Sequence, residues 1–455
     1  MGTRVVAASG QLGTGFREES LRTALSEGAD ILGCDAGSTD AGPYYLGAGE
    51  SLASPAAIRR DLALMMGAAV PRKIPLLIGS AGTGGGRPHL QRTVETVRDL
   101  AREQGLHLRL AVIEAELDTD DLIRWLRQRR IHPLDPAPPL TEDTLAESER
   151  VVAQMGAEPF MSALEGGADM VVAGRASDAA IFASVPLMQG CDAGAAWHAA
   201  KVVECGAAAV RQRLHPDCMV ADIDGDGFVV HPPNEAMACT PHSVAAHSLY
   251  ENADPYHIIE PSGVLDTSAC TYEAAGPREV RVRGSRFASK SRYDVRLEGV
   301  RHVGFRSIVV AGVRDPLVLR RLDGFLHEAT TSVQDKAMRS LLLDAGTDYT
   351  LTTRVYGRDG CLGEREPCRD HVGHEVGVVV DVVAGTQESA GAVAALAWHT
   401  ILHHPVPEWS GLVSNLAFPY SPPDIPAGPV YEFCCNHVLE LDDPLAPFRV
   451  TMEEI

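Results

Sequence analysis

The chain has no long apolar segment, and no run approaches the roughly 20 residues that a membrane-spanning helix needs. Residues 1–4 lack the basic region and apolar stretch that mark a secretory signal. The ten cysteines are scattered apart from the vicinal Cys434-Cys435. We therefore expect a cytoplasmic protein with reduced thiols and no membrane partner.

Positive charge is also scarce. Lysine and arginine together number 40 against 61 aspartates and glutamates, so the formal net charge is -21. A surface of this sign repels phosphate, which argues against nucleic acid or an anionic membrane as the main partner. An anionic substrate must therefore be held by local donors.

Complete catalytic and metal-binding motifs are missing as well. No Gly-x-Ser-x-Gly elbow or Walker loop occurs, so hydrolase and kinase functions lack support. The segment 361–374 has the spacing Cys-x6-Cys-x2-His-x2-His, in which the first spacing is unlike a zinc knuckle. Residues 222–227 match half of a calcium loop, but Pro233 occupies the position that needs a bidentate glutamate. We predict no metal site, with zinc at 361–374 as the alternative, and the cofactor is left open.

The sequence does contain an alternation of strand and helix patterns. With 455 residues, of which 45% are hydrophobic, it can bury a large core and is expected to form two domains. Short apolar runs typical of buried strands occur at 4–10, 29–35, 74–78, 106–113 and 170–173. Helical patterns lie between them, which predicts an α/β domain over 1–236 with a mostly parallel sheet covered by helices. Shorter alternating strands and helices then predict an α+β domain over 237–455.

A glycine-rich loop with the sequence GSAGTGGG at 79–86 follows one of these runs and precedes a predicted helix. Its amides can approach a ligand, and the helix N-terminus favours negative charge. We predict that it binds an anion such as a carboxylate or a CoA phosphate; a dinucleotide site and a structural turn are the alternatives. The loop residues assigned to this anion are Ser80, Gly82, Thr83, Gly84 and Gly85.

Other loops place hydroxyl and charged groups directly after buried strands. One contains Asp35, Ser38 and Asp40, and another contains Arg175 and Asp178. Arginine offers a bidentate fork for a carboxylate, and a carboxylate beside it can exchange a proton. Ligands of α/β proteins bind at the carboxyl ends of strands, so these loops converge if their strands are neighbours. Ion pairs at strand ends are the alternative.

Several segments resemble the acyclic terpene utilisation (AtuA-like) family. They are 80–86, 167–179, 204–206, 233–256 and 436–444. The most specific part is Gly-Arg-x-x-Asp-Ala at 174–179, whereas the loop at 80–86 has serine and threonine in place of the family's asparagine. The resemblance implies catabolism of citronellol- and geraniol-type acids and, for many members, a small partner protein encoded nearby. The resemblance does not imply any particular reaction mechanism.

Glu204 lies in one of these family-like segments. It follows Lys201 by three positions on a predicted helix face, a spacing typical of a surface ion pair. The resemblance makes Glu204 a candidate functional residue in addition.

Together these features predict a lyase or isomerase, of hydro-lyase type, that removes a proton next to the carbonyl of a small carboxylic acid or its CoA thioester. The glycine-loop amides and Arg175 would bind the anion, and Ser38 or Ser80 would orient the substrate. The candidate catalytic residues are Asp35, Asp40, Asp178 and Glu204. The alternative is a non-catalytic binding or scaffold subunit that works with a small partner protein. We also expect a homo-oligomer.

Overall fold

The computed structural model describes residues 2–250, 252–407 and 414–455. The described chain divides into two compact units, the first formed by Met1–Arg301 with Phe433–Ile455 and the second by His302–Glu432. The second unit is therefore inserted into the first. The boundary expected between 236 and 237 falls inside the first unit, because a strand before it (227–231) and one after it (280–283) pair in the same sheet.

The regular elements follow in chain order. The strands are β1 (Thr3–Ala7), β2 (Ile31–Asp35), β3 (Leu76–Gly79), β4 (Arg109–Glu114), β5 (Ile131–Pro133), β6 (Arg150–Gln154), β7 (Met170–Ala173), β8 (Met219–Asp224), β9 (Gly227–His231), β10 (His257–Glu260), β11 (Gly263–Asp266), β12 (Thr271–Ala274), β13 (Val280–Arg283), β14 (Arg286–Ser289), β15 (Tyr293–Val313), β16 (Tyr349–Tyr356), β17 (Val376–Ala384), β18 (Asp424–Leu441) and β19 (Arg449–Glu454). The α-helices are α1 (Glu18–Ser26), α2 (Pro43–Ala48), α3 (Pro55–Ala69), α4 (Arg87–Gln104), α5 (Thr119–Arg127), α6 (Glu142–Ala146), α7 (Glu158–Glu165), α8 (Asp178–Met188), α9 (Ala193–Val203), α10 (Pro241–Ser248), α11 (Pro316–Arg320), α12 (Leu322–Leu341) and α13 (Gln387–Leu402).

The main sheet of the first unit has the strand order β12-β13-β9-β8-β1-β2-β3-β7-β4-β19. Its central strands, from β1 to β4 in this order, pair in parallel, while β8 and β19 join antiparallel at either side. Val5 and Val6 are both fully buried but belong to different hydrophobic clusters, because successive side chains point to opposite faces of the sheet. Both faces are thus covered. The predicted α/β fold is confirmed: the sheet as a whole is mixed, and its five central strands, all from the N-terminal part of the chain, are parallel.

The remaining sheets are antiparallel. In the first unit β11 lies between β10 and β14. In the second unit β17 pairs with β16 and with residues 305–313 of β15. The alternating buried positions of β17 share a hydrophobic cluster with α12 and α13. The predicted α+β character of the C-terminal region is confirmed. Across the described residues, no helix combines the length and the apolarity that crossing a membrane requires.

Local features set the bounds of several elements. Helix α9 ends at Val203, because Glu204 caps it and Gly206 then takes a φ of 57°. Residues 293–298 and 305–313 belong to one long strand, β15. The proline-rich segment 132–140 begins with residues of β5, which pairs with β18.

Candidate active site

Three loops of the first unit meet at the carboxyl edge of the parallel sheet. Asp35 ends β2, Ser80 follows β3 and Arg175 follows β7, and these three strands are parallel neighbours. The Ser80 amide donates to the Gly174 carbonyl over 2.9 Å, and Arg175 Nη1 donates to Ser80 Oγ over 3.2 Å. The predicted convergence of these loops is confirmed.

The glycines of the 79–86 loop let these backbones touch. A Cβ on Gly85 would lie 2.2 Å from the Arg175 nitrogen, and one on Gly37 would lie 2.9 Å from Thr83 Cα. Similar contacts surround Gly82, next to His89 Cβ at 2.7 Å, and Gly84, next to Leu46 Cα at 3.0 Å. All of these glycines are buried. The observed role of the loop is close packing, while anion binding by its amides stays a prediction.

The N-terminus of α4, which follows this loop, already faces a carboxylate of the chain. Glu116 Oε2 accepts from the Arg87 amide over 2.7 Å, and Arg87 itself pairs with Glu116 at 3.7 Å. A helix N-terminus favours negative charge, and here Glu116 supplies it. A substrate anion at this end of α4 would have to displace that side chain.

The same loop holds strained backbone. Ser80 and Thr83 have φ values of 49° and 84°, in the left-handed region that non-glycine residues, and above all β-branched ones, rarely occupy. Thr83 is held there because its Oγ1 accepts from the Leu52 amide over 2.9 Å. Strain of this kind costs about 1–3 kcal/mol per residue and is typical of functional sites.

Arg175 is the central cation of the edge. Its buried guanidinium donates from Nε to Glu298 Oε2 over 2.8 Å and from Nη1 to the Ala176 carbonyl over 2.9 Å. It lies 3.6 Å from Asp178 Oδ1. Burial alone would lower the pKa of Arg175, but Glu298 and Asp178 raise it above its usual value. Conversely, burial would raise the pKa of Glu298, yet Arg175 lowers it, so this pair stays ionised.

Asp35 lies close to this pair and is buried. Its Oδ2 accepts from the Gly37 amide over 2.7 Å, while Oδ1 is buried without a hydrogen-bond partner among the described residues. Burial, and then Asp178, raises the pKa of Asp35 well above its usual range, although Arg175 opposes the change. Asp35 therefore retains a proton more readily than an ordinary aspartate.

Lys201 and Glu204 form a buried pair, so the expectation of a surface pair at this spacing is wrong. Lys201 Nζ donates to Glu204 Oε1 over 2.5 Å, and both residues are buried because α9 is buried from Gly194 to Val203. Burial raises the pKa of Glu204 to about 8 although Lys201 opposes it, and Asp178 adds to the rise. Burial would lower the pKa of Lys201, but Glu204 raises it above the usual value.

Glu260 is a site residue that the sequence reasoning missed. It ends β10, and its Oε2 accepts from Ser177 Oγ over 2.7 Å. Burial raises the pKa of Glu260 to about 7, although Ser177 and Lys201 both act to lower it. The one signal in the sequence is its position two residues after Ile258, on the buried face of a short strand.

These carboxylates form what we call the acid cluster. Its members are Asp35, Asp178, Glu204, Glu260 and Glu298. Asp178 begins α8 and links the cluster, since it interacts electrostatically with Asp35, Glu204 and Glu260. Its side chain is 35% exposed, whereas Glu204 and Glu298 are 5% and 3% exposed. Asp178 is therefore the most exposed carboxylate of the acid cluster.

Two other predicted site residues lie outside the cluster. Ser38 Oγ donates to Asp40 Oδ2 over 2.9 Å, and Asp40 is exposed. Thr39, between them, is buried, and its hydroxyl helps to lower the pKa of Glu298. Catalysis by Asp40 and substrate orientation by Ser38 stay predictions.

Metal ligands do not gather in the part of the chain that the structure describes, where no three His, Cys, Asp or Glu residues are placed to hold an ion. That part includes the segment 361–374. Residues 224–226, which belong to the half-match to a calcium loop, are exposed and form the turn between β8 and β9.

A family model described as acyclic terpene utilisation family protein AtuA matches residues 81–407, well over half of the 455 residues. The chain belongs to this family. Searches of curated proteins and of solved structures give no match. The AtuA match includes most of the acid cluster, whereas Asp35 and Ser80 precede it. AtuA membership implies a role in acyclic terpene utilisation, which is compatible with a catabolic enzyme.

The raised pKa of Glu204 predicts a pH dependence of stability. Between its ordinary value of 4.5 and about 8, the folded AtuA-family protein holds a proton that the unfolded chain releases. The free energy of unfolding should therefore fall as pH rises through this window, by at most about 1.4 kcal/mol per pH unit from this one group. Glu204→Gln should flatten the fall, as measured by urea unfolding at several pH values.

The matched control is Glu165→Gln, at the exposed end of α7. This variant should keep the slope of the wild type. Equal slopes for wild type and Glu204→Gln would show that Glu204 titrates normally in the folded protein.

Proposed function

We propose that this protein is an enzyme of acyclic terpene catabolism, a lyase or isomerase of hydro-lyase type that acts on a small carboxylic acid or its CoA thioester. The observation that carries the proposal is the buried Lys201-Glu204 pair, which interacts with the more exposed Asp178 at the edge of a parallel sheet. Carboxyl groups with pKa values near neutrality beside a buried ammonium are the groups that proton transfer needs.

In the proposed reaction Asp178 removes the proton on the carbon next to the substrate carbonyl. The Lys201 ammonium stabilises the negative charge that develops on the carbonyl oxygen. Glu204, whose pKa is about 8, carries a proton at neutral pH and gives it to the departing hydroxyl group. The carbon-oxygen bond breaks, the carbon-carbon double bond forms, and water leaves.

Arg175 and Ser80 have a supporting role in this proposal. The Arg175 guanidinium is already bonded to Glu298 and to Ser80 Oγ, so it holds the loops together and offsets the charge of Asp178. A substrate carboxylate can add to Arg175 only by sharing or replacing these bonds. Glu298 holds the Arg175 guanidinium in place through their ion pair of 2.8 Å and offsets part of its charge.

Isotope exchange in heavy water tests the assignment of base and acid. The purified chain is incubated with unsaturated and hydroxy acids and their CoA thioesters, and NMR follows both deuterium uptake and loss of water. We expect Asp178→Asn to abolish uptake. Glu204→Gln should keep much of the uptake but slow the loss of water by about 100-fold or more, because an amide cannot deliver a proton.

The control is Asp120→Asn, an exposed residue of α5, which should behave as wild type. Uptake that persists in Asp178→Asn would assign the base elsewhere. If uptake occurs only when a small partner protein is added, the chain is a binding subunit and the proposal of an independent enzyme fails.

A further inference from the structure

The second unit contains a cavity of about 500 Å³ with an arginine-rich lining. Its charged lining residues are Arg320, Arg321, Asp323, Arg358, Arg369 and Asp370. Among these lining residues, four arginines against two aspartates give a formal charge of +2, in a chain whose net charge is -21. Asp359 and Glu328 pair with three of the four arginines from outside the lining. An arginine-rich lining attracts anions where such pairs leave donors free.

The cavity also receives the N-terminus of α12, a helix of 20 residues. Leu322, Asp323 and Gly324, in its first turn, all line the cavity. Arg321 is the N-cap, and it provides no side-chain acceptor for the first amides of the helix. These amides and the helix dipole add positive potential to that of the arginines.

Arg358 gives an independent indication of a ligand. Its side chain is only 7% exposed and pairs with Asp323 at 2.5 Å and with Asp359 at 3.1 Å. Its Nε is nevertheless buried without a hydrogen-bond partner among the described residues. A buried guanidinium N–H that lacks an acceptor is costly, so the described residues alone do not satisfy every donor of Arg358.

The other arginines differ in how firmly the chain holds them. Arg369 pairs with Asp359 at 2.9 Å, and Arg321 lies 3.4 Å from Glu328. Arg320 has no ion-pair partner within the described part of the second unit, and it also lines an adjoining cavity of about 820 Å³. Arg320 is thus the lining arginine that ion pairs within the described residues hold least, and the adjoining space can hold the remainder of a larger molecule.

We propose that this cavity binds the phosphate group of a small molecule. Phosphate presents several acceptor oxygens, which match planar guanidinium forks and the amides at a helix N-terminus together. A volume of about 500 Å³ suits a phosphorylated metabolite or part of a nucleotide. The inference does not depend on the proposed function, because every residue used here lies in the second unit.

Calorimetric titration of the full chain tests this site with inorganic pyrophosphate, CoA and succinate. Pyrophosphate should bind with a Kd below about 1 mM. Arg320→Gln should weaken that binding about tenfold, since it removes one charge-assisted contact. Arg320 has no ion pair to lose within the described residues, so the fold should be unaffected. Arg339→Gln, at the far end of α12, should leave binding unchanged.

The probes also distinguish the source of the phosphate. Binding of pyrophosphate and CoA with similar strength supports a site for the phosphate group itself, and much tighter binding of CoA supports the same site with a nucleotide ligand. The assignment is overturned if pyrophosphate fails to bind at about 1 mM, if succinate binds equally well, or if Arg320→Gln has no effect.

Discussion

Lys201→Met is expected to slow turnover strongly and to lower the stability of the first unit. The ammonium is hydrogen-bonded to Glu204 and also acts on Glu260, so its removal leaves buried carboxyls without a cation. Removing one partner of a buried pair costs about 3–5 kcal/mol when the other charge remains. Because Glu204 can take up a proton instead, the loss should be larger at pH 8 than at pH 6.

Loss of the ammonium also removes the group that we propose stabilises the developing negative charge, which should slow the reaction by about 100-fold or more. Urea unfolding at both pH values and the exchange assay measure these effects. Lys73→Met, at an exposed position of the first unit, is the matched control. Wild-type activity in Lys201→Met would exclude Lys201 from the reaction.

Gly85→Ala should be the most damaging change in the glycine loop. The added Cβ would lie 2.2 Å from the Arg175 nitrogen and 2.6 Å from its Cα, and this backbone cannot rotate away. Gly85 also has a φ of 66°, which alanine adopts with strain. Overpacking and strain together predict a loss of roughly 2–5 kcal/mol, and displacement of Arg175 should reduce exchange activity.

Gly105→Ala separates the effect of backbone strain from that of overpacking. Gly105 has a similar φ of 63°, but a Cβ there would meet nothing within 4 Å. This variant should cost only about 1–2 kcal/mol, from strain alone. The difference between the unfolding free energies of the two variants, measured in urea, gives the cost of the clash between the loops at Gly85. Equal losses would mean that the 79–86 loop yields to the extra atom, contrary to the packing described.

Much of the first unit's fold could be predicted because its central strands are short apolar runs between helical patterns. The exceptions have physical reasons. Helix α8 is buried on all sides from Ala179 to Pro186, so it has no polar face and no helical periodicity to recognise. Strand β19 is half polar and joins the edge of the sheet by pairing with β4. Because this is a long-range contact, the residues of β19 alone do not predict it.

The site was predictable to the extent that it depends on strand order. Asp35, Ser80, Arg175 and Asp178 follow parallel strands, and the rule for strand ends brought them together correctly. Burial of Lys201 and Glu204 could not be read from their spacing, because it depends on other elements covering α9. Glu260 and Glu298 come from antiparallel strands distant in sequence, and neither lies in a recognised motif.

The insertion of the second unit has a consequence for synthesis on the ribosome. Strand β19 pairs with β4, although 334 residues lie between Glu114 and its partner Arg449 in the chain. The parallel sheet that carries the acid cluster therefore emerges long before its last edge strand is made. During that interval β4 is an open edge, which exposes nascent chains to wrong pairing until Phe433–Ile455 arrives.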